Sequence, residues 1–174
     1  MAVRQILVAP NPLLRKKAEV VEHIDASIVK LAEDMVETLE AAGGVGLAAP
    51  QIGVSKRVIV IWLPDEDPFV LVNPKVAKHF GERIVTEGCL SVPEMQGKVK
   101  RSREVIVKAV DPAGNPVRID ATGLKAQALE HEINHLDGIL YTDLIVPGSL
   151  TKTQVTESFE DIVDDVWQSR HGAA

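Results

Sequence analysis

Cysteine and aromatic residues are both scarce in this chain of 174 residues. The single cysteine, Cys89, excludes an internal disulfide, and aromatic residues make up only 3% of the chain. The core must therefore be built mainly from Val, Leu, Ile and Ala. A lone cysteine is most often a small buried apolar residue, and its functional alternatives are a nucleophile and a metal ligand.

Long apolar runs and dense clusters of positive charge are also missing. No run approaches the roughly 20 apolar residues of a membrane helix, and the first residues lack the apolar segment of a signal peptide. The net charge of -6, without a Lys/Arg run, argues against nucleic acid as the main partner. We therefore expect a cytoplasmic protein with no membrane association. Its length favours a single domain over residues 1–174.

The pattern with the most chemical content is His131-Glu132-x-x-His135. Two residues four apart lie on the same face of an α-helix, so the histidines can share one metal ion while Glu132 faces a water beside it. Alone, the motif also fits a surface helix that carries two unrelated histidines. Apolar residues adjoin the histidine face, however, and predict that this helix, from Thr122 to Gly138, lies at the centre of the fold.

Hydrophobic periodicity predicts two further helices and several strands. An amphipathic helix is expected at about 25–42, and a final helix with an acidic outer face at about 151–168. Short β-branched runs predict two hairpins. Their strands are expected at 57–63 with 69–74, and at 104–110 with 117–121.

Two loop segments complete the pattern, Gly44-Val45-Gly46-Leu47-Ala48-Ala49-Pro50-Gln51 and Glu87-Gly88-Cys89-Leu90-Ser91. Two glycines after a helix often form only a C-cap and a turn, and no Gly-Lys-Ser/Thr follows to make a phosphate loop. Taken with the helix motif, the segments resemble the peptide deformylase family. Its signatures have the forms G-x-G-L-A-A-x-Q, E-G-C-L-S and H-E-x-x-H, in that order. The similarity runs from about Ile6 to Leu144.

The resemblance implies a hydrolase that removes the N-formyl group from the N-terminal formylmethionine of newly synthesised proteins and releases formate. It implies that Cys89, His131 and His135 hold one divalent metal ion. Three protein ligands and one open position are typical of a catalytic site. The family favours Fe²⁺, with Zn²⁺, Ni²⁺ or Co²⁺ as substitutes.

The resemblance also assigns catalytic and substrate-binding roles. Glu132 would take a proton from the attacking water and pass one to the leaving amine. The Gln51 amide and the Leu90 backbone N–H would donate to the oxyanion. The residues implied in holding the peptide and its methionine are Gly44, Val45, Gly46, Glu87 and Ala128, with His131 bordering the pocket.

The implied fold is α+β, with antiparallel strands packed around a central metal-binding helix and with an N-terminal and a C-terminal helix. The implied partners are N-formylmethionyl nascent peptides. Bacterial relatives can dock their C-terminal region near the ribosomal exit tunnel. Because this region is acidic here, its attraction to RNA phosphate is reduced, and only a weak ribosome association is expected.

Three positions depart from the family pattern. Glu130 stands where the family commonly has Gln, Asn134 where it commonly has Asp, and Gln96 where many relatives carry Arg. We hypothesise that Glu130 and Asn134 alter the orientation of the histidines without abolishing activity. The alternative is drift at tolerant positions, and Gln96 leaves one substrate contact open.

Two rival functions fit parts of the sequence. A zincin-type endopeptidase would take its third ligand downstream of the helix motif, where Asp137 and Asp143 are available. A metal-stabilised binding protein without catalysis would close the site with a fourth protein ligand, such as an Asp or His79.

Overall fold

A computed structural model describes residues 2–153. Within this range the chain forms helices α1 (Ala26–Ala42) and α2 (Gly123–Leu136). The strands are β1 (Gly46–Ala48), β2 (Val58–Ile61), β3 (Phe69–Phe80), β4 (Arg83–Cys89), β5 (Val92–Arg101), β6 (Glu104–Val110), β7 (Pro116–Thr122) and β8 (Thr151–Lys152).

The strands form two antiparallel sheets. One has five strands in the order β1-β2-β3-β6-β7, and the other has three in the order β4-β5-β8. Both predicted hairpins are confirmed: β2 pairs with β3, and β6 pairs with β7 across the predicted turn. The mixed α and β content with antiparallel sheets agrees with the expected α+β class.

Helix α1 begins and ends where its sequence predicts. The Asp25 carboxylate accepts hydrogen bonds from the backbone N–H groups of Ser27 and Ile28 at 2.9 and 3.3 Å. This satisfies donors that a helix start otherwise leaves unpaired. At the other end Gly43 adopts a φ of 71°, the left-handed conformation in which glycine carries no steric penalty.

Strand β2 separates two apolar clusters, which explains why its sequence is a continuous apolar run. Ile59 and Ile61 belong to the cluster that contains the buried face of α2, including Leu129. Val58 and Val60 belong to the cluster that contains α1. Successive side chains of a strand point to opposite faces, so both faces of β2 are buried.

Helix α2 lies in the core, as its apolar face predicts. Thr122 occupies the N-cap position, although its side chain makes no capping hydrogen bond. Ala126, Leu129 and Leu136 are completely buried. Neither α1 nor α2 combines the length and apolar character that a membrane-spanning helix requires.

Several details differ from the prediction. The two segments expected as loops contain strand β1 and the end of strand β4, because both pair with a neighbouring strand. Strand β5 was not predicted, because its sequence contains Pro93 and Gly97 and half of its residues are charged or carry an amide. Strand β3 continues past Pro74, which lies within a register shift of the β3–β6 ladder, a place where a missing N–H is tolerated. The predicted helix at 151–168 is wrong at its start, because Thr151 and Lys152 pair with β5 as a strand. The rest of that helix lies outside the described residues.

Candidate metal centre

The helix motif and the end of β4 bring three potential metal ligands together. Cys89 is the last residue of β4, whereas His131 and His135 lie one turn apart on α2. One ligand atom from each of these three residues lies within 4.8 Å of the others. The Cys89 Sγ atom is 3.3 Å from Nε2 of His135. A sulfur and two imidazole nitrogens suit Zn²⁺ and Fe²⁺, so the donor set fits a divalent metal.

A buried ion pair fixes the orientation of the first histidine. The Nε and Nη2 atoms of Arg101 donate to the two carboxylate oxygens of Glu87 at 2.7 and 2.8 Å. Oε1 of Glu87 in turn lies 2.7 Å from Nδ1 of His131. A histidine that donates Nδ1–H to a carboxylate presents its Nε2 lone pair to a metal. Glu87, expected to bind substrate, therefore also orients a potential metal ligand.

The electrostatics of the site follow from these contacts. Burial raises the pKa of Glu87, but the Arg101 and His131 hydrogen bonds outweigh it and hold that pKa at about 2. Burial lowers the pKa of His131, yet its contacts with Cys89 and Glu87 raise it to about 10. Burial lowers the pKa of His135 well below its ordinary value. The negatively charged Glu87 thus stabilises a positive charge on His131, whereas burial disfavours one on His135.

Glu132 lies in the core against the backbone of β1. A Cβ atom at Gly46 would be only 2.6 Å from Oε1 of Glu132, so the glycine provides the space that this carboxylate occupies. Burial raises the pKa of Glu132 to about 7, although the positive charge of His131 acts in the opposite direction. Its Oε2 atom is buried and has no hydrogen-bond partner among the described residues. Because a buried polar atom is normally hydrogen-bonded, Oε2 is expected to bind a water molecule or a ligand group.

Gln51 is buried with its amide directed at the cysteine. Its Oε1 atom accepts from the Ala48 backbone N–H at 2.8 Å, which leaves the NH₂ group facing Ser91 Oγ at 3.1 Å and Cys89 Sγ at 3.7 Å. Leu90 follows Cys89 in the turn between β4 and β5. Both expected oxyanion donors therefore come from segments that adjoin Cys89.

The expected substrate-binding residues lie around this centre. Gly44 contacts the Leu90 side chain so closely that an added Cβ would be 3.0 Å from it. Val45 is partly buried against the apolar cluster that includes Ala128, and Gly46 pairs with Ile61 in the sheet. Gly44 thus lets the segment after α1 pack against Leu90, the residue that follows Cys89.

Comparison with known proteins shows the family to which the chain is similar. The family model for polypeptide deformylase matches residues 3–150. A peptide deformylase of Dehalococcoides mccartyi (strain CBDB1) is 52% identical over 144 residues, which cover 82% of this chain and 86% of that protein. A Legionella pneumophila peptide deformylase structure is 46% identical with a TM-score of 0.81, covering 84% of this chain and 88% of that one. A peptide deformylase structure from Synechococcus elongatus, in complex with actinonin, is 31% identical with a TM-score of 0.81, covering 100% of this chain and 88% of that one.

The chain belongs to the polypeptide deformylase family. Members of this family are hydrolases that remove the N-formyl group from nascent peptides, and the family is metal-dependent. The resemblance inferred from the three motifs is confirmed.

The geometry of this deformylase-family site does not favour the rival functions. Asp137 pairs with Arg57 and Asp143 with Arg15, so neither acid supplies the third ligand of an endopeptidase. The metal-ligand group found in residues 2–153 contains three residues and does not include His79. A closed four-ligand site is therefore not formed by these residues.

Sequence analysis missed three residues that contribute to the deformylase-family site. Arg101 lies in β5, which was not predicted, and no motif marks it. Ser91 was noted only as part of a motif, yet its hydroxyl accepts from Gln51. Tyr141 is buried and stacks on His131, with ring centroids 6.1 Å apart and an interplanar angle of 25°. No signal in the sequence distinguishes this tyrosine from an ordinary core residue.

Proposed function

We propose that this chain deformylates N-formylmethionyl nascent peptides through one divalent metal ion held by Cys89, His131 and His135. The observation that carries the proposal is the convergence of these three ligand atoms within 4.8 Å, beside the buried carboxylate of Glu132. When bound, the metal would act as a Lewis acid toward the formyl carbonyl and make water a stronger nucleophile.

Glu132 is the proposed general base and acid. Its buried Oε2 atom has no partner among residues 2–153, so it is available to accept a proton from the attacking water. The same carboxyl group would then donate the proton to the leaving amine. Formate and a free N-terminus would be the products.

Gln51 and Leu90 are the proposed oxyanion donors. The Ala48 N–H fixes the Gln51 amide so that its NH₂ group faces the cysteine side of the site. The backbone N–H of Leu90 belongs to the residue directly after Cys89. Donors held in place in a water-poor site stabilise a developing negative charge without reorganising.

The peptide and its methionine side chain are proposed to contact five residues around the centre. Gly46 lies on β1, an end strand of the five-stranded sheet, where a peptide backbone can add by hydrogen bonding. The apolar surroundings of Ala128 suit a thioether side chain. The proposed substrate-binding residues are Gly44, Val45, Gly46, Glu87 and Ala128.

The identity of the metal and the setting of the enzyme are further proposals. We propose Fe²⁺ as the native ion, with Zn²⁺, Ni²⁺ or Co²⁺ able to replace it, because imidazole and thiolate ligands accept all four. We propose that the enzyme acts in the cytoplasm, because its proposed substrates are newly synthesised formylated chains. We propose at most a weak association with the ribosome, and a single catalytic domain over residues 1–174.

Formate release from formyl-Met-Ala-Ser tests the catalytic proposal. The purified protein should release formate, and Glu132→Ala should lower kcat by about 10²–10⁴-fold while its metal content stays unchanged. Lys125→Ala is a matched control on the same helix, because Lys125 pairs with Glu66 away from the ligands. A Glu132→Ala protein with the kcat of the control would overturn the role of Glu132.

A further inference from the structure

Helix α2 holds the end of β5 through two side chains on one face. Oδ1 of Asn134 accepts a hydrogen bond from Nη1 of Arg101 at 2.6 Å. The carboxylate of Glu130 accepts from the backbone N–H of Ser102 at 2.9 Å and from its hydroxyl at 2.6 Å. Glu130 and Asn134 are four residues apart and therefore neighbours on the helix, and their partners are consecutive in the chain.

This contact is continuous with the support of a metal ligand. Arg101 uses its remaining guanidinium edge to hold Glu87, and Glu87 accepts from Nδ1 of His131. The side chains of Arg101 and Glu87 are only 4% and 3% exposed, so water cannot readily replace either partner. A continuous chain of hydrogen bonds therefore links Asn134 on α2 to Arg101 on β5, then to Glu87 on β4, and finally to His131 on α2.

We propose that Glu130 and Asn134 act together as positioning residues for His131. They fix the end of β5, so that Arg101 keeps Glu87 where it accepts the Nδ1–H of His131 and directs Nε2 toward the metal. This inference rests on the metal role proposed for His131. Neither residue touches the three ligand atoms, and both act through Arg101 and Ser102.

The chemistry of each side chain matches its partner. Ser102 presents two donors, and the two oxygens of the Glu130 carboxylate accept both. Arg101 already donates from Nε and Nη2 to the carboxylate of Glu87. Its remaining Nη1 group donates to the neutral amide oxygen of Asn134, which adds no second negative charge beside the Arg101–Glu87 ion pair. Arg101 therefore remains paired with one buried carboxylate, which keeps Glu87 oriented by a two-point contact.

Co²⁺ alone is a suitable probe, because it reports both affinity and ligand geometry. The apo protein is titrated anaerobically with Co²⁺, and the dissociation constant and absorption spectrum are recorded without substrate. Removing a partner that supports a metal-bound histidine typically lowers affinity 10–100-fold, so Asn134→Ala should weaken Co²⁺ binding by about tenfold and alter the spectrum. Glu130→Ala should weaken it in the same direction.

The double variant tests whether the two residues act as one unit. Substitutions that act through the same contact are not additive, so Glu130→Ala with Asn134→Ala should lose little more affinity than Asn134→Ala alone. Fully additive losses would overturn the joint role. Asn134→Ala with wild-type affinity and spectrum would overturn the positioning role altogether.

Asp137→Ala is the matched control for general loosening of the helix. Asp137 accepts from Arg57 at 3.0 Å at the end of α2, but this pair has no contact with Glu87 or His131. The control should lower thermal stability without changing Co²⁺ affinity, and a loss equal to that of Asn134→Ala would overturn the inference. A wild-type protein that binds no Co²⁺ would instead overturn the proposed metal site itself.

Discussion

At the scale of single residues, Glu132 depends on the absence of a side chain at Gly46. Any Cβ at this position would overlap the carboxylate, with Oε1 at 2.6 Å and Cγ at 2.8 Å. The sequence motif explains the glutamate as a proton carrier, whereas the structure explains why the neighbouring strand carries glycine. The glycine-containing segment 44–51 and the H-E-x-x-H motif therefore pack directly against each other, through Gly46 and Glu132.

We predict that Gly46→Ala lowers kcat with formyl-Met-Ala-Ser by about a hundredfold, because a displacement of about 1 Å at a catalytic group has this effect. The added methyl group overpacks the core and should lower the free energy of unfolding by about 1–3 kcal/mol. Metal content should change little, since the proposed ligands are not among the atoms that the methyl group would overlap. Steady-state kinetics and elemental analysis on the same sample check this. Full activity in Gly46→Ala would show that the position of Glu132 is not critical.

Gln51 offers a second test at this scale. Gln51→Ala removes a fixed donor, and kcat/KM should fall by about 10²–10³-fold while metal content is retained. Gln127→Ala is the matched control, because it also removes a side-chain amide that donates to one acceptor, the Thr86 carbonyl, away from the cysteine. Equal kinetics for the two variants would contradict the oxyanion role.

At the scale of elements, the N-terminal segment joins α1 to both loops of the site. Its backbone N–H groups donate from Ala2 to Asp34, from Leu7 to the Gln51 carbonyl and from Ala9 to the Ser91 carbonyl. Its role could not be read from the sequence, because it depends on backbone hydrogen bonds to residues far along the chain.

Asp34 provides a pH-dependent test of this attachment. Burial raises its pKa, but hydrogen bonds from Arg4, Lys30 and Ala2 outweigh burial and hold the pKa below the ordinary 3.8. The charged Asp34 carboxylate therefore stabilises the fold fully at pH values above 3.8, the ordinary pKa of the unfolded chain. This stabilisation is lost as the pH falls through the lower pKa that Asp34 has in the folded protein. Asp34→Asn should lower the free energy of unfolding at pH 7 by about 1–3 kcal/mol.

Urea unfolding across a pH series checks whether the stabilising contribution of Asp34 decreases in acid, as predicted. The difference between wild type and Asp34→Asn should be constant near neutral pH and shrink in acid, provided that both proteins still fold there. A difference that grows as the pH falls would contradict the assignment of a charged, hydrogen-bonded Asp34.

The elements themselves were predicted where local signals are strong. Helix α1 has periodicity, an Asp cap and a terminal glycine, and the β6–β7 hairpin has a Pro- and Gly-containing turn. Strand β5 carries none of these signals. Only Gly97, Val99 and Arg101 along its length are buried, and of these only Val99 is an apolar side chain of the kind that marks a strand in the sequence. The strand form of β5 comes from the hairpin with β4, whose two-residue turn, Leu90-Ser91, carries none of the Asn-Gly or Asp-Gly signals typical of such turns.

At the scale of the whole molecule, the site joins three segments that are far apart in sequence. Motif chemistry alone indicated the paired histidines and Glu132, whereas Cys89 as the third ligand and Gln51 as the amide donor were expected from the family resemblance. The supporting contacts of Arg101, Ser102 and Tyr141 were not predicted, because common residue types fill these roles and only the fold brings them together. The order of the three motifs along the chain supported the family resemblance, whereas only the structure gives the distances between their residues.

Metal removal tests how far the fold depends on the site. Most buried apolar residues in the described range belong to the two apolar clusters, which contain none of the proposed metal ligands. The chelated protein should therefore keep its far-UV circular dichroism. Its Tm should fall and recover when the metal is restored, because a ligand that binds only the folded state stabilises it. Loss of secondary structure on chelation would indicate a metal that is required for folding.

The most direct test of the central claim is formate release measured together with metal content on one anaerobically purified sample. The proposed site predicts one divalent ion per chain, formate release from formyl-Met-Ala-Ser in proportion to metal content, and loss of both on chelation. Replacing Cys89 by Ala should abolish both as well. A protein that holds its metal through Cys89, His131 and His135 but releases no formate would contradict the account.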